Sequence, residues 1–434
     1  MEINDFGKWE LWADVSRAEL DRFRTAWPIF PDHRYTVQLT LPDGQALIDR
    51  TVHLTTADGE IVWTARTDNH GRAELWYRPF TEVGEHQERL RLRVEGPEPG
   101  SVVSEQKARP FADGITRLVV REDCTRARAT DVAFVVDATG SMSDELRFLA
   151  SELTDVMQRA RQELDGTDLR LGAVYYRDHG EAYVTRHQDF AADEKTIAFV
   201  KAQRAAGGGD APEAVTDALT TALDSLSWRA DATRLLFLVL DATPHAEKQA
   251  ELQRLTERAA AAGVRIIPVI CSGMDPAGEY LFRSLALATN GTTVFLTDDS
   301  GIGGKHLDPV TDERKVEALN DLLVRLLVTH GAVADCAAVT ATVPPTPPAP
   351  ETTPEDIDWR VFPNPTSGPV TVNLPRRRGE LYVLDAGGKL LARQTVRQRR
   401  FDYDLSGLPA GSYLLRYQDK KQTSNRWVTV VSAR

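Results

Sequence analysis

The sequence predicts a multidomain fold: an N-terminal β-sandwich, a central doubly wound α/β domain and a small C-terminal β-sandwich. The chain has 434 residues, enough for about three domains with cores of their own. Apolar strands alternate with helical segments in the centre, whereas both flanking regions show only short β-type runs between turn residues. A proline-rich stretch precedes the last region. We predict the N-terminal β-sandwich at residues 1–122, the central α/β domain at 124–336, the linker at 337–357 and the C-terminal β-sandwich at 358–434.

The composition is that of an ordinary globular protein, with 42% hydrophobic and 27% charged residues. A net charge of −12 argues against nucleic acid as the main partner. The charge is uneven, because residues 359–434 hold 14 Lys and Arg against 5 Asp and Glu, a net +9 that leaves −21 on residues 1–358. No apolar run approaches the roughly 20 residues that a helix needs to cross a bilayer, so we expect no transmembrane segment.

The N-terminal region begins with a helix signal and continues with β-type runs. Ser16 and Glu19 form a capping box that opens a short amphipathic helix. Turn signals then separate the runs YTVQLTL, TVHLTT, IVWTART, AELWY and RLRLRV. That rhythm predicts a small β-sandwich. The segment TDNHGRAELW resembles an edge of bacterial Ig-like and carboxypeptidase-regulatory-like modules, where Asp68 and Asn69 are expected to be turn residues.

Oxygen-bearing side chains follow the first strand of the central domain. The run DVAFVVDATGSMSDE at 131–145 stops being apolar at Asp137, and Thr139 and Ser141 follow at alternate positions. Ligands of parallel α/β sheets bind at the carboxyl ends of strands. A carboxylate and two hydroxyls there are hard oxygen donors, which suit Mg²⁺ better than zinc or copper.

Two later loops carry further acids. The segment AAGGGDAPEAVTDAL at 205–219 opens a helix with Asp210, and the apolar strand LLFLVLDATPH at 235–245 reaches Asp241. The strands LRLGAVYYRD, VRIIPVI and TTVFLT, with helical segments between them, complete the pattern of a doubly wound sheet.

These three loops resemble the metal-ion-dependent adhesion site of von Willebrand factor A domains. The resemblance implies that Thr139 and Ser141 bind the metal directly and that Asp137 and Asp241 act partly through water. The family has a Thr on the second loop, which is absent here, and we assign Asp210 in its place. The predicted ligands of Mg²⁺ (or Mn²⁺) are therefore Asp137, Thr139, Ser141, Asp210 and Asp241.

Each of these residues also has a plain structural interpretation. The side chains at the first strand end can cap the helix that starts near Ser143. Asp210 and Glu213 form a capping box with Pro in the first turn. Asp241, shortly before Pro244, suits a simple turn.

Other polar groups fall near the same loop ends. Asp178, His179 and His245 could tune ligand binding, although solvated loop positions are favoured for them. Glycines 207–209 precede a helix, as phosphate-binding loops do, but lack the Lys-Ser/Thr of a P-loop. The sequence contains no GxSxG, HExxH or Cys-His signature, so no catalytic residue is predicted.

The three cysteines bear on the cellular compartment. Cys124 precedes the first central strand and Cys336 follows the last helix, whereas Cys271 lies in an apolar strand and is expected to be a buried free thiol. Some extracellular A domains join their two ends by a disulfide, and the resemblance thus implies a Cys124–Cys336 bond. Three unpaired cytosolic thiols are the alternative.

The C-terminal region follows a linker with six prolines between Pro344 and Pro354, which favour extended polyproline geometry. Its β-runs contain FPNP at 362–365, DAGGK at 385–389 and LPAGSY at 408–413. This segment resembles the type A C-terminal sorting domain of type IX secretion cargo. The resemblance implies recognition by that secretion machinery and passage through the periplasm of a Bacteroidota-type bacterium to the cell surface or medium.

The N-terminus, MEINDFGKWELW, has neither a basic n-region nor an apolar h-region, so we expect no signal peptide in this chain. Either the protein stays inside the cell or a signal has been removed. The prediction overall is a non-enzymatic secreted or cell-surface adhesion protein that captures an exposed carboxylate of a protein partner through Mg²⁺. The alternatives are a secreted hydrolase-like effector and a structural surface component with a vestigial metal site.

Overall fold

The computed structural model describes residues 2–3, 15–83, 89–98, 100–122, 128–209, 212–296, 318–333, 336, 359–362, 366, 368–374, 378–385, 390–409, 411–419 and 423–430. The chain divides into two compact units. The first comprises Met1–Leu11, Ala26–Pro309 and Glu313–Thr340, and the second comprises Trp12–Thr25, Val310–Asp312 and Ala341–Arg434.

The strands are β1 (Glu2–Ile3), β2 (Arg34–Thr40), β3 (Thr51–Thr55), β4 (Ile61–Arg66), β5 (Arg72–Trp76), β6 (Arg91–Glu95), β7 (Val102–Lys107), β8 (Thr116–Val119), β9 (Ala129–Asp137), β10 (Asp168–Tyr176), β11 (Thr185–Ala191), β12 (Thr233–Leu240), β13 (Val264–Ile270), β14 (Thr293–Phe295), β15 (Arg360–Phe362), β16 (Pro369–Asn373), β17 (Gly379–Asp385), β18 (Leu390–Val396), β19 (Arg400–Asp404), β20 (Gly411–Gln418) and β21 (Thr423–Val430). The helices are α1 (Arg17–Ala26), α2 (Ser143–Glu163), α3 (Asp193–Ala202), α4 (Val215–Asp224), α5 (Gln249–Ala262), α6 (Pro276–Ala288) and α7 (Leu319–Gly331).

The first unit is built on a seven-stranded sheet in the order β11-β10-β9-β12-β13-β14-β1. Strands β10, β9, β12, β13 and β14 run parallel, and the two edge strands β11 and β1 are antiparallel to their neighbours. The six strands from β9 to β14 thus have the 3-2-1-4-5-6 order of a doubly wound fold. The predicted central α/β sheet is confirmed, and its direction of winding reverses between β9 and β12.

Helices cover both faces of this sheet, because its central strands are apolar on both sides. All nine residues of β9 and all seven of β13 are buried. On one face, α2 packs against α7 and α3, and its buried side chains recur every three or four residues, as an amphipathic helix requires. Phe134 and Phe237 stack beneath them with ring centroids 5.0 Å apart. Helices α4, α5 and α6 follow one another on the opposite side.

The N-terminal β-runs form a three-stranded sheet, β5-β2-β8, and a four-stranded sheet, β4-β3-β6-β7. The capping box opens α1, with the Glu19 amide donating to Ser16 Oγ at 3.3 Å and the Ser16 amide to Glu19 Oε2 at 3.3 Å. Residues 17–25 of this helix cluster with the second unit, and the predicted domain at residues 1–122 stays a prediction. There, Arg400 Nη2 donates to the Val15 carbonyl at 2.9 Å.

The C-terminal segment of the second unit also contains two sheets, β15-β16-β19 and β18-β17-β20-β21. Their core is centred on Trp359 and Tyr417, which are 1% and 0% exposed. The Tyr413 hydroxyl donates to the Pro409 carbonyl at 2.7 Å, which ties the turn before β20 to the strand. The linker 337–357 predicted before this segment lies outside the described residues.

Two of the three cysteines can be assessed. Cys271 is buried with a free thiol, as predicted. Cys336 is disulfide-bonded, and Cys124 lies outside the described residues. The pairing of these two stays a prediction. Within the described part of the chain, no helix is both long and apolar enough to span a membrane.

Candidate functional site

Three of the predicted ligands meet where β9 ends. Asp137 is the last residue of the strand and is completely buried. The Thr139 amide and hydroxyl both donate to Asp137 Oδ1, at 2.8 and 2.7 Å. Thr139 Oγ1 lies 3.4 Å from Ser141 Oγ. The turn after the strand therefore gathers one carboxylate and two hydroxyls in one place.

The capping interpretation of these residues is wrong. Helix α2 has Met142 at its N-cap, and within the described residues no side chain caps it. The preceding 3₁₀ turn, Gly140–Met142, likewise has no side-chain cap hydrogen bond from Thr139. The oxygen atoms of the motif are thus turned toward one another and away from the helix amides.

Asp241 reaches the same place from the neighbouring strand. It directly follows β12, which lies beside β9 at the point where the winding reverses. Burial raises the pKa of Asp241, and a hydrogen bond with the Ser141 side chain lowers it. The Ser141 side chain thus lies close to Asp241, so the first and third predicted loops meet here. Ligands of open α/β sheets bind in the crevice formed at this reversal.

The second predicted loop lies against the first, although Asp210 itself is outside the described residues. The Ala206 amide donates to the Ala138 carbonyl at 3.1 Å, and the Gly140 amide to the Gly207 carbonyl at 3.2 Å. A Cβ at Gly140 would lie 2.9 Å from the Gly207 carbonyl oxygen, so a larger residue there would force the two loops apart. Glycine therefore allows the two loops to approach closely.

The phosphate-loop interpretation of these glycines finds no support. The Gly208 amide already donates to the carboxylate of Glu181. An amide engaged by a carboxylate of the protein is not available to a bound phosphate. A carboxylate at this position would also repel the phosphate.

Glu213 is a site residue that sequence reasoning missed. Only a capping role was predicted for it, yet α4 has Ala214 at its N-cap with no side-chain cap among the described residues. The Glu213 side chain is buried at 3% exposure, and its amide donates to the Thr243 carbonyl at 3.0 Å. Burial raises the pKa of Glu213 to about 9, and the charge of Asp137 is the next largest cause. Its proximity to Asp210 in sequence was the available signal.

Glu145 is a second missed residue. It lies in the first turn of α2 and is 3% exposed. Its Oε1 accepts a hydrogen bond from Ser272 Oγ at 3.1 Å. Burial raises the pKa of Glu145, and the charge of Asp241 adds to that rise. A glutamate at the start of a helix is so common that sequence alone does not single it out.

The site carries crowded negative charge. Burial raises the pKa of Asp137 to about 7, opposed by the hydrogen bonds of Thr139 and reinforced by the charge of Asp241. Arg177 Nε donates to the Ala138 carbonyl at 3.1 Å, and its Nη1 lies 4.0 Å from Oε2 of Glu181. Oδ2 of Asp137 is buried and makes no hydrogen bond of good geometry among the described residues, although the buried Tyr176 side chain lies near enough to lower the pKa of Asp137.

The donor set fits a hard divalent cation. It contains a buried carboxylate oxygen that makes no hydrogen bond of good geometry among the described residues, two hydroxyls and further acids whose raised pKa values reflect burial and mutual repulsion. Within the described residues no three His, Cys, Asp or Glu side chains are grouped as a metal centre. Two of the predicted ligands are hydroxyls, which such a grouping does not include, and Asp210 lies outside the described residues.

The flanking polar loop residues are paired with one another. His245 Nε2 lies 2.7 Å from Asp178 Oδ1, and His179 Nε2 lies 3.3 Å from Asp217 Oδ2. Asp178 is buried, whereas the His179 side chain is 49% exposed. The solvated-loop interpretation therefore suits His179 better than Asp178.

Comparison with known proteins agrees with this fold. Residues 131–298 match the family described as von Willebrand factor A domain, and residues 360–430 match the secretion system C-terminal sorting domain. Over 111 residues, 24% of the chain, it is 35% identical to an ariadne-like RING finger protein of Acanthamoeba polyphaga mimivirus. Over 122 residues, 27% of the chain, it is 29% identical to the alpha-protein kinase vwkA of Dictyostelium discoideum.

The aligned regions span only 11% and 19% of these two relatives. Both family resemblances inferred from the motifs are confirmed, because each family match covers the motifs that suggested it. The chain thus contains a von Willebrand factor A domain at residues 131–298 and a secretion system C-terminal sorting domain at residues 360–430.

Proposed function

We propose that this protein is a secreted or cell-surface binding protein whose A domain captures an acidic group of a protein partner through Mg²⁺ or Mn²⁺. Asp137, Thr139, Ser141, Asp210 and Asp241 are the proposed ligands. The observation that carries the proposal is the buried Oδ2 of Asp137, which makes no hydrogen bond of good geometry among the described residues and has the buried Tyr176 hydroxyl as a nearby polar group. A bound cation would satisfy that oxygen and relieve the repulsion among the neighbouring carboxylates.

The chemistry of the ligands explains why a partner carboxylate would bind. Mg²⁺ takes six oxygen ligands and usually keeps several waters. Because Thr139 and Ser141 contribute neutral hydroxyls, the charge of the cation is incompletely balanced by direct contacts. A carboxylate of the partner that replaces one water would add the missing negative charge. Glu145 and Glu213 would support the cation from the periphery of the site.

The sorting domain defines where this binding would occur. A type IX sorting domain implies interaction with the secretion machinery and delivery to the cell surface or the extracellular space. A bacterial host of the Bacteroidota type is part of the proposal. An adhesive A domain would meet its partners outside the cell. The A domain and the sorting domain thus both support a role in extracellular binding.

Calorimetric titration of the full chain with Mg²⁺ tests the metal site. We expect saturable binding by the wild type and none by Asp137→Ala. The matched control is Asp144→Ala, which removes an acid of the same motif whose side chain is 42% exposed and paired with Arg147. The control should bind as the wild type does. Equal Mg²⁺ affinity in Asp137→Ala and the wild type would refute the site.

Partner capture is tested separately, with surface extracts and both Asp137→Ala and the wild type as baits. Proteins retained by the wild type in Mg²⁺, and lost both with chelator and with the variant, would support adhesion. Capture that ignores the chelator would favour a structural component with a vestigial site. Turnover on a panel of hydrolase substrates would favour the effector alternative.

A further inference from the structure

A cavity of about 290 Å³ lies at the end of the central sheet opposite to the metal motif. Its A-domain side is formed where β12 and β13 begin, at Arg234 and Arg265, whereas Asp137 lies where β9 ends. Its other side comes from the N-terminal sheets, including Arg66 and Asn69. Both sides belong to the same compact unit. The cavity thus lies between the N-terminal sheets and the A domain, and no described residue of the metal motif lines it.

Two arginines in the lining share a single carboxylate. Arg66 Nε lies 2.5 Å and its Nη2 2.9 Å from the oxygens of Asp49. Arg234, which is 6% exposed, reaches Asp49 Oδ1 with Nη1 at 3.3 Å. One carboxylate thus faces two guanidinium groups on this wall. Over the whole lining four Arg are matched by four Asp and Glu, of which Asp231 is exposed to solvent.

Arg265 differs from Arg66 and Arg234, because it has no carboxylate in contact among the described residues. It is 5% exposed, and its guanidinium donates to two neutral acceptors, His330 Nδ1 at 3.1 Å and Asn69 Oδ1 at 3.2 Å. In the described part of the chain, no carboxylate oxygen lies within 4 Å of it. A buried guanidinium without a carboxylate in direct contact is destabilising. Burial lowers the pKa of Arg265, and the charge of Asp68 opposes that shift.

Two of the other acids that line the cavity are already engaged. Glu74 accepts from Arg34 Nε at 2.7 Å and from Thr36. Asp68 Oδ1 accepts from two backbone amides, and its Oδ2 accepts from Asn290 Nδ2 at 3.0 Å. Neither carboxylate lies within 4 Å of the Arg265 guanidinium, although the charge of Asp68 is near enough to act on it.

We propose that this cavity binds a small oxyanion, a carboxylate or a phosphate of a few heavy atoms, with Arg265 as its main ligand and Arg66 and Arg234 beside it. The planar guanidinium matches both anions through paired hydrogen bonds. A volume of about 290 Å³ is roughly ten times the share of one water in the liquid, so such an anion fits together with waters. Bound there, it would tie the N-terminal sheets to the base of the A domain.

The test uses the full chain, stripped of metal on a chelating resin so that Mg²⁺ cannot bring phosphate to the motif at Asp137. Inorganic phosphate and succinate are titrated separately by calorimetry into protein in a chloride buffer of constant ionic strength. We expect saturable binding of at least one probe with Kd below about 1 mM. The probe that binds more tightly identifies the anion as a phosphate or a carboxylate. The absence of saturable binding of either probe up to about 10 mM would overturn the proposal.

Arg265→Gln is the diagnostic variant, and Arg147→Gln, at a side chain 78% exposed, is the charge-matched control. Arg265→Gln should weaken binding about tenfold or more, a loss of one charge-assisted contact, while the control binds as the wild type. The anion that binds more tightly should also stabilise the wild type against urea and leave Arg265→Gln nearly unchanged, because a ligand stabilises only the protein that binds it. Equal stabilisation of the two proteins would contradict the proposal.

Discussion

Asp137 contributes opposite effects to folding and to binding. Its buried carboxylate, beside Asp241, is unfavourable without a cation and favourable with one. The same conflict extends to Glu213 and Glu145, whose burial is visible only in the folded structure. At the scale of single residues, the buried carboxylates of the site therefore destabilise the metal-free protein, and the proposed metal would remove that cost.

We predict that Mg²⁺ stabilises the wild type against urea and leaves Asp137→Asn unaffected. At a free concentration one hundred times Kd, the gain should be about 2.7 kcal/mol, because the cation binds the folded state alone. Without metal, the variant should be as stable as the wild type or more so. Equal stabilisation of both proteins by Mg²⁺ would contradict the assignment of Asp137.

A second prediction concerns Glu213. Glu213→Gln keeps the shape of the side chain but cannot lose a proton to become charged beside the cation, so Mg²⁺ affinity should fall about tenfold, as for groups that surround metal ligands. Glu247→Gln, at a side chain 76% exposed, is the control and should change the affinity little. Calorimetry at pH 8 measures both. An unchanged affinity in Glu213→Gln would mean that this glutamate lies beyond the influence of the cation.

At the scale of elements, sequence reasoning succeeded where burial is continuous or alternates along the strand, and failed where burial is slight. Strands β9, β10, β12, β13 and β14 are apolar runs, and all five lie close to their predicted positions. Strand β11 was missed, because its residues are partly exposed and its β structure depends on pairing with β10. The two-residue strand β1 is likewise defined by its partner alone.

The same reasoning explains the outcome for the site. Asp137, Thr139, Ser141 and Asp241 directly follow apolar strands, and a strand end is a recognisable signal. Glu145 and Glu213 lie at helix starts, where acids are common for reasons of capping and helix dipole. Their burial depends on how separate loops come together, which no local pattern in the sequence expresses.

Helix α7 supplies a prediction about pH. His330 Nδ1 faces the Arg265 guanidinium, and burial together with that charge lowers the pKa of His330 to about 3. An unfolded histidine titrates near 6.5. Between these values the unfolded state binds a proton that the folded state does not, so this residue should make stability fall as pH falls from 6.5 toward 3. The slope should approach 1.4 kcal/mol per pH unit, by order of magnitude.

Urea unfolding at pH 7, 6 and 5 measures this slope. His330→Asn retains a hydrogen-bond acceptor for Arg265. It should make the free energy of unfolding depend less on pH, by the equivalent of about one proton. His179→Asn, at a half-exposed histidine, is the matched control and should leave most of the slope in place. If His330→Asn and the wild type lose stability in parallel, the lost stability comes from other groups.

At the scale of the whole molecule, binding and export should be separable. The A domain and the sorting domain fall in different compact units, and the first unit contains every described residue of the metal site. We predict that removal of residues 359–434 leaves Mg²⁺ affinity unchanged and traps the protein in the periplasm of its native host. Calorimetry and cell fractionation check the two halves. Surface display of the shortened protein would remove the sorting interpretation.

The short strand β1 has a consequence for self-association. Glu2 and Ile3 pair with Val294 and Thr293, and Glu2 Oε2 lies 2.7 Å from Arg325 Nη1. This pairing occupies hydrogen-bonding groups along β14 that would otherwise form an open sheet edge, the kind of surface on which chains add to one another. We therefore expect residues 2 and 3 to reduce aggregation through the edge of β14. A protein produced without them should form larger particles in light scattering at high concentration, whatever its metal content.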